Sequence, residues 1–306
     1  MKLSTNVKLI CRPDSESEIS KIAERAIKRA GAMEVLPTPV DDLVKAAAIM
    51  EVQSPEELKE SFFARLTKSA QETFKYAIQK VRGIADLRDR INYIPQNGNP
   101  CRNLFPKAHE FGHQIIPWHN INTTYLDDDY TLSPDVETDF DREANFFASE
   151  VIFQGKSFRV HALDYVASLH AVFRLSEMYG ASKQATIWRY IEEQDEAIAV
   201  AQYYPIDSTD EHGNHFLRHW KTIPSKKFIK KYEDIELPSR IGTGHPWVAA
   251  RDIKFHDGIN ILEGKDLIRC GMSEYTFEWQ AWWNGYTLFV LLRHKPILGV
   301  ISKIIK

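Results

Sequence analysis

The spacing of apolar residues changes period several times along this chain, and each change predicts a change of element. In "SESEISKIAERAIKRAGA", Ile19, Ile22, Ala23 and Ala26 fall on one helical face behind a Ser/Glu-rich start. "LPTPVDDLVKAAAIMEV" repeats the pattern with Val40, Leu43, Val44 and Ala47, prolines leading in and Asp41 and Asp42 in the first turn. A third helix is expected in "SPEELKESFFARLTKSAQETFKYAIQKVRG", capped by Ser54 and stopped by Gly83. "IADLRDRINYIP" alternates and predicts a strand that ends at the turn-forming "PQNGNP". Helical spacing returns in "LFPKAHEFGHQII", with Pro106 in the first turn and Pro117 ending the run.

An acidic connection, "WHNINTTYLDDDYTLSPDVET", leads to "DFDREANFFASEVIF", a helix with Phe140, Ala144, Phe147, Ala148 and Val151 on one face. Helical spacing is expected to continue over about 157–202. Beyond Pro205 the composition shifts to Gly, Pro, Trp and alternating residues. "EYTFEWQAWWNGYTLFVLLRH" predicts two strands joined by a tight hairpin turn at Asn284-Gly285. The expected class is α+β in three parts: a helical domain with a small sheet over 1–160, a helical segment over 161–205, and a β-rich domain over 206–306.

Composition adds that a core is available. The chain has 306 residues, 43% hydrophobic and 26% charged. A net charge of −3 argues against broad coating of nucleic acid or anionic membrane. Cys11, Cys101 and Cys270 are odd in number and far apart, so they fit no disulfide framework and are read as reduced thiols of a cytoplasmic protein. The first residues lack the apolar core of a secretory signal, and no stretch reaches the ~18 apolar residues of a membrane span. The most apolar run, "YTLFVLLRHKPILGVI", is broken by Arg293, His294, Lys295 and Pro296. No membrane association is expected.

The stretch "KAHEFGHQIIPWH" carries the chemistry. On a helix, His109 and His113 lie one turn apart on the same face, so both imidazoles can address one metal ion. Glu110 is rotated by about 100° from His109, close to the ion without having to bind it. A metal-assisted hydrolase needs this arrangement: zinc activates water and a neighbouring carboxylate takes the proton. Gly112 keeps the helix slim for close approach of another element or of substrate. A third ligand is required, and Asp141, Glu143 and Glu150 on the next helix are the acids to consider. Asp141 is favoured, because it shares a face with the small residues Ala144, Asn145 and Ala148; Glu143 is the alternative. Asn145 is placed to hydrogen-bond a ligand histidine and fix its tautomer.

"RNLFPKAHEFGH" followed by "DREANFFASEVIF" resembles the ImmA/IrrE family of metallopeptidases, whose pattern is R-x-x-F-x-x-A-H-E-x-G-H and then E-x-x-A-N-x-F-A-x-x-x-L. Arg102, Phe105, Ala108, His109, Glu110, Gly112 and His113 match the first motif; Ala144, Asn145, Phe147 and Ala148 match the second. With the upstream "LPTPVDDLVKAAAI", the resemblance spans roughly residues 36–155. One departure is that Asp141 stands where the family usually has Glu. The resemblance implies a zincin-like fold for 1–160 and a zinc-dependent metallopeptidase, with Mn²⁺ as the alternative metal. His109, His113 and Asp141 would hold the ion, and Glu110 would act as general base and then proton donor. The implied substrate is a helix-turn-helix transcriptional repressor, cleaved to relieve repression under stress or in mobile elements. The oxyanion stabiliser is unassigned, with Tyr125, Tyr130 and His119 as candidates; His119 is otherwise read as a structural or rim histidine.

Other features have plainer readings. Asp127–Asp129 is a solvated acidic loop. "LSEMYGASKQATIWRYIEE" predicts a helix, a turn at Gly180 and a second helix from Ser182. Its basic Lys183 and Arg189 are outweighed by Glu192, Glu193 and Asp195, so an ordinary αα-hairpin is favoured over direct DNA binding. "SKKFIKKYE" is a solvated basic face, and Trp279, Trp282 and Trp283 belong to a core or interface. The rival to the enzyme is a DNA-associated regulatory or scaffold protein whose metal site is structural or vestigial.

Overall fold

The computed structural model describes residues 12–53, 84–87, 89–94, 100–119, 134–209, 213, 215–232, 234–251 and 260–294. The helix expected from Ser54 to Gly83, Asp127–Asp129, Tyr125 and Tyr130 lie outside these residues. The fold is α+β, and the chain divides into two compact units, 11–161 with 174–186, and 162–173 with 187–306.

In the helical unit, α1 (Glu16–Arg29) buries Ile19, Ile22, Ala23 and Ile27, and α2 (Val40–Ala46) buries Val40, Leu43 and Val44. The α2 helix ends sooner than the periodicity predicts. Ala48 takes a left-handed φ of 54°, and the following Met50–Val52 becomes strand β1. The segment read as one strand, 84–95, contains a hairpin of β2 (Ile84–Asp86) and β3 (Ile91–Tyr93) turned at Arg90, whose φ is 54°. These form a three-stranded sheet in the order β1-β3-β2, β1 parallel and β2 antiparallel to β3.

Helix α3 (Pro100–Ile115) starts earlier than expected, so Pro106 sits inside it rather than in its first turn. Pro106 has no N–H to donate, which leaves one carbonyl of the preceding turn without its helical partner. The side-chain amide nitrogen of Gln114 ties α3 to the hairpin, donating to Asp86 O at 3.0 Å and Asn92 Oδ1 at 3.0 Å. Helix α4 (Pro134–Phe153) also starts earlier than expected, within the stretch read as a connection. It buries Ala144, Phe147, Ala148 and Val151. At its end the Gln154 amide donates to Ala32 O and Val35 O at 3.1 and 2.8 Å, clamping the loop after α1.

The stretch expected to be helical over 157–202 is instead α5 (Lys156–Leu163), α6 (Leu169–Tyr179), α7 (Lys183–Glu193) and the start of strand β4 (Ile198–Thr209). Gly180 makes the α6–α7 turn at φ 61°, and Ser182 caps α7 by accepting from Ala185 N at 3.1 Å. Arg189 is 5% exposed and ion-paired to Glu193 at 3.1 Å, so α7 does not present it to solvent.

The sheet unit holds β4, β5 (His215–Pro224), α8 (Lys226–Lys231), β6 (Arg240–Ile241), a 3-10 turn (Pro246–Arg251), β7 (Ile261–Cys270), β8 (Ser273–Trp283) and β9 (Leu288–His294). Its six strands run antiparallel in the order β6-β5-β4-β9-β8-β7. One face buries alternate residues: Ala199, Ala201 and Tyr203 on β4, Phe277 and Trp279 on β8, Leu288, Val290 and Leu292 on β9, with Trp247 and Phe228. The other face of β4 and β9 is buried too, at Ile198, Val200 and Phe289. The Asn284-Gly285 turn closes a four-residue loop, 284–287, between Trp283 and Leu288, where the Asn284 side chain accepts from Tyr286 N and Thr287 N at 2.9 and 2.7 Å. In mid-strand, a Cβ on Gly264 would lie 2.3 Å from Trp279 Cζ2, so that position admits only glycine beneath the indole. Trp279 and Trp282 are buried, and the four lysines of α8 point to solvent while Phe228 turns inward. Among the described residues no helix is long and apolar enough to cross a membrane.

Candidate metal centre

The two helices that carry the motif residues pack directly on each other. A Cβ added to Gly112 of α3 would lie 2.9 Å from Phe147 Cδ1 and 3.4 Å from Ala144 Cα of α4. Phe147 is fully buried and packs edge-on against Phe111 at 5.5 Å, so it has no room to retreat. The close approach that Gly112 permits is therefore between helices. With the helices this near, the Asp141 carboxylate comes within 3.6 and 3.8 Å of the two imidazoles.

His109, His113 and Asp141 converge, one ligand atom from each lying within 4.8 Å of the others. The Nε2 atoms of the two histidines are 3.1 Å apart, and Asp141 Oδ1 is 3.6 Å from His113 Nε2 and 3.8 Å from His109 Nε2. Ligands about 2.0–2.2 Å from a tetrahedral ion lie about 3.3–3.6 Å from one another. The observed triangle is close to one face of that tetrahedron, so the three residues fit a tetrahedral metal ion. Both imidazoles are 18% exposed and Asp141 is 60% exposed, which leaves the acid side of the group open to solvent.

Each imidazole is held through its other nitrogen. His109 Nδ1 lies 3.0 Å from Asn145 Oδ1, and since an amide oxygen only accepts, Nδ1–H donates and Nε2 keeps its lone pair. His113 Nδ1 lies 3.0 Å from His119 Nδ1. His119 is 1% exposed, stacked on Phe140 at 4.4 Å, and its Nε2 lies 2.9 Å from Glu143 Oε2. It is thus not on a rim, and its nitrogens are committed within the protein.

Glu143, the alternative third ligand, is not among the three groups that meet. Its carboxylate accepts from Trp118 Nε1 at 2.6 Å, from Ser15 Oγ and from His119. No spacing along the chain marks this cluster of Ser15, Trp118, His119 and Glu143. Its one local signal was Pro117, which does not merely end a helix but opens a further helical turn, 117–119, that carries Trp118 and His119.

Burial dominates the electrostatics. It pushes the Glu110 carboxyl up to about 7 and, with the neighbouring His113, the His109 imidazole down to about 4. The His113 imidazole, and then His109, hold Asp141 below its ordinary value against a partial burial that raises it. Burial raises Glu143 as well, but its hydrogen bonds from Ser15, Trp118 and His119 outweigh that and leave it lowered.

No family model matches this chain, and no curated protein matches it in sequence. Its fold is similar to that of a Mycobacterium tuberculosis transcriptional regulator, with a TM-score of 0.51 at 12% identity over 91% of this chain and 76% of the other. At that identity the likeness concerns the fold.

Proposed function

We propose that this chain is a zinc-dependent metallopeptidase whose substrate is a regulatory protein, a helix-turn-helix repressor in the first instance. One observation carries the reading: two imidazoles and a carboxylate converge at ligand spacing, the imidazoles on the helix that also carries the buried Glu110. When bound, zinc polarises both the scissile carbonyl and the attacking water. His109, His113 and Asp141 would hold the ion, and an extended peptide would approach from the exposed Asp141 side. Glu110 takes a proton from the water at its carboxylate and returns it to the departing amine.

The regulatory part of the proposal draws support from the resemblance of the two motifs and from the name of the structural neighbour. The same neighbour supports the second reading, a transcription regulator that uses its metal only structurally. Metal analysis and digestion of a peptide library and of candidate repressors separate them. The enzyme reading expects one zinc per chain and cleavage by the wild type, with zinc kept and cleavage lost in Glu110→Gln. Zinc without cleavage by either protein supports the structural reading, and a wild type that takes up no divalent metal removes both.

A further inference from the structure

His113 faces a difficulty that His109 does not. To offer Nε2 to a metal, a neutral imidazole must carry its proton on Nδ1, the tautomer that a free histidine side chain disfavours. For His109 the Asn145 carbonyl oxygen enforces it. The Nδ1 of His113 instead faces another ring nitrogen, His119 Nδ1, at 3.0 Å. Either member of such a pair can be the donor, so the direction must be set elsewhere.

It is set on the far side of His119. There Nε2 lies 2.9 Å from the Glu143 carboxylate. An ionised carboxylate only accepts, so His119 Nε2 carries a proton. The neutral ring then has only a lone pair at Nδ1, and His113 Nδ1–H must donate to it. His113 Nε2 is left with its lone pair directed at the metal position. Trp118 Nε1, 2.6 Å from the same carboxylate, and the Ser15 hydroxyl fix the rotamer of Glu143. Stacking on Phe140 at an interplanar angle of 25° fixes the ring of His119.

We infer that Glu143 and His119 form a two-step relay that locks His113 in the metal-binding tautomer. Both are positioning residues, and the inference rests on the metal-site reading above. In that tautomer three acceptors, the two Nε2 atoms and Asp141 Oδ1, would face one another at 3.1, 3.6 and 3.8 Å. Such a set is stabilised by a shared cation.

The test uses the full chain labelled with ¹⁵N-histidine and freed of metal. Long-range ¹H–¹⁵N spectra of the wild type are expected to show His113 protonated on Nδ1. His119→Phe keeps a flat ring but removes the acceptor. It is expected to return His113 toward the Nε2–H tautomer and to weaken zinc binding, read by competition with a chromogenic chelator, by about 10–100-fold. His119→Gln, whose amide can donate to Glu143 and whose carbonyl can accept from His113, is expected to restore most of that affinity. A wild-type spectrum with His113 protonated on Nε2, or a folded His119→Phe with undiminished zinc affinity, overturns the relay. Should His119→Phe not fold, the wild-type spectrum alone decides. A wild type with the Nδ1–H tautomer at His113 but no affinity for zinc leaves the relay standing and removes the peptidase reading.

Discussion

Both units of this chain bury titratable side chains, with opposite consequences. In the helical unit, desolvation brings Glu110 up to about 7, into the range where proton exchange in neutral solution is easy. In the sheet unit, the same effect takes Cys270 up to about 11 and raises the phenols of Tyr203 and Tyr232, silencing groups that were already neutral. Both cores bury large aromatic rings, so the difference lies in what stands beside the titratable groups. Where Gly112 of α3 closes on Phe147 and Ala144 of α4, the side chains of His109, His113 and Asp141 converge. In the sheet unit Tyr203 and Tyr232 lie among Trp247, Phe228 and Phe277. Burial alone does not make a candidate site; burial beside converging imidazoles and carboxylates does.

Four measurements press on that contrast. The largest effect is expected from Glu110→Gln, which should lower peptide cleavage by about 10²–10⁴-fold with zinc content unchanged, by analogy with the loss of a general base; an undiminished rate removes Glu110 from the chemistry.

The same variant reports on the cost of burial. The folded-state value of Glu110 is raised from 4.5 to about 7, so its stabilising share is full below pH 4.5 and is lost as pH rises through about 7. His109, lowered from 6.5 to about 4, works the other way, gaining stability as pH rises from 4 to 6.5. In the metal-free wild type the two slopes oppose each other. Glu110→Gln removes one of them, so its advantage over wild type should grow between pH 4.5 and 7 by on the order of 1–3 kcal/mol in denaturant unfolding. Parallel curves for the two proteins contradict the shift.

Two alanine substitutions of glycine come next. Gly112→Ala and Gly264→Ala each force a Cβ against a buried aromatic ring, 2.9 Å from Phe147 and 2.3 Å from Trp279, and each should cost about 1–3 kcal/mol. Only Gly112→Ala should also weaken zinc binding, because it pushes α4 and Asp141 away. Equal zinc affinity in both would mean that helix spacing does not set the site.

The smallest effect separates two serines in equivalent positions. Ser225 precedes α8 and caps it, accepting from Phe228 N at 3.2 Å. Ser15 precedes α1 yet makes no side-chain cap; its hydroxyl goes to Glu143. Ser225→Ala should cost about 0.5–2 kcal/mol in unfolding. Ser15→Ala should cost less and show instead in the ¹⁵N signals of His119.

What could be read from the sequence follows from what is local. The facing imidazoles, Asp141 and Asn145 obey helical spacing, and that spacing survives folding. The strand at Ile198 was hidden because β4 is buried on both faces, so "IAVAQYY" carries no alternation to betray a strand. The β2–β3 hairpin was read as one strand because it turns at Arg90 in a left-handed conformation, without the Gly or Asn that usually marks one. The structural reading of His119 holds, but its partnership with Glu143 escapes the sequence for a different reason. Their pairing depends on where Ser15 and Trp118 arrive in three dimensions, and no periodicity encodes that.

The contact of Ser15 with Glu143 also limits how the molecule can be dissected. A fragment chosen from the two motifs alone would start near Arg102 and stop near Phe153, and would discard a hydroxyl only three hydrogen bonds removed from a ligand imidazole. The residue that opens the first helix thereby belongs to the support of the metal group, and a fragment that keeps this hydrogen bond has to begin upstream of Ser15.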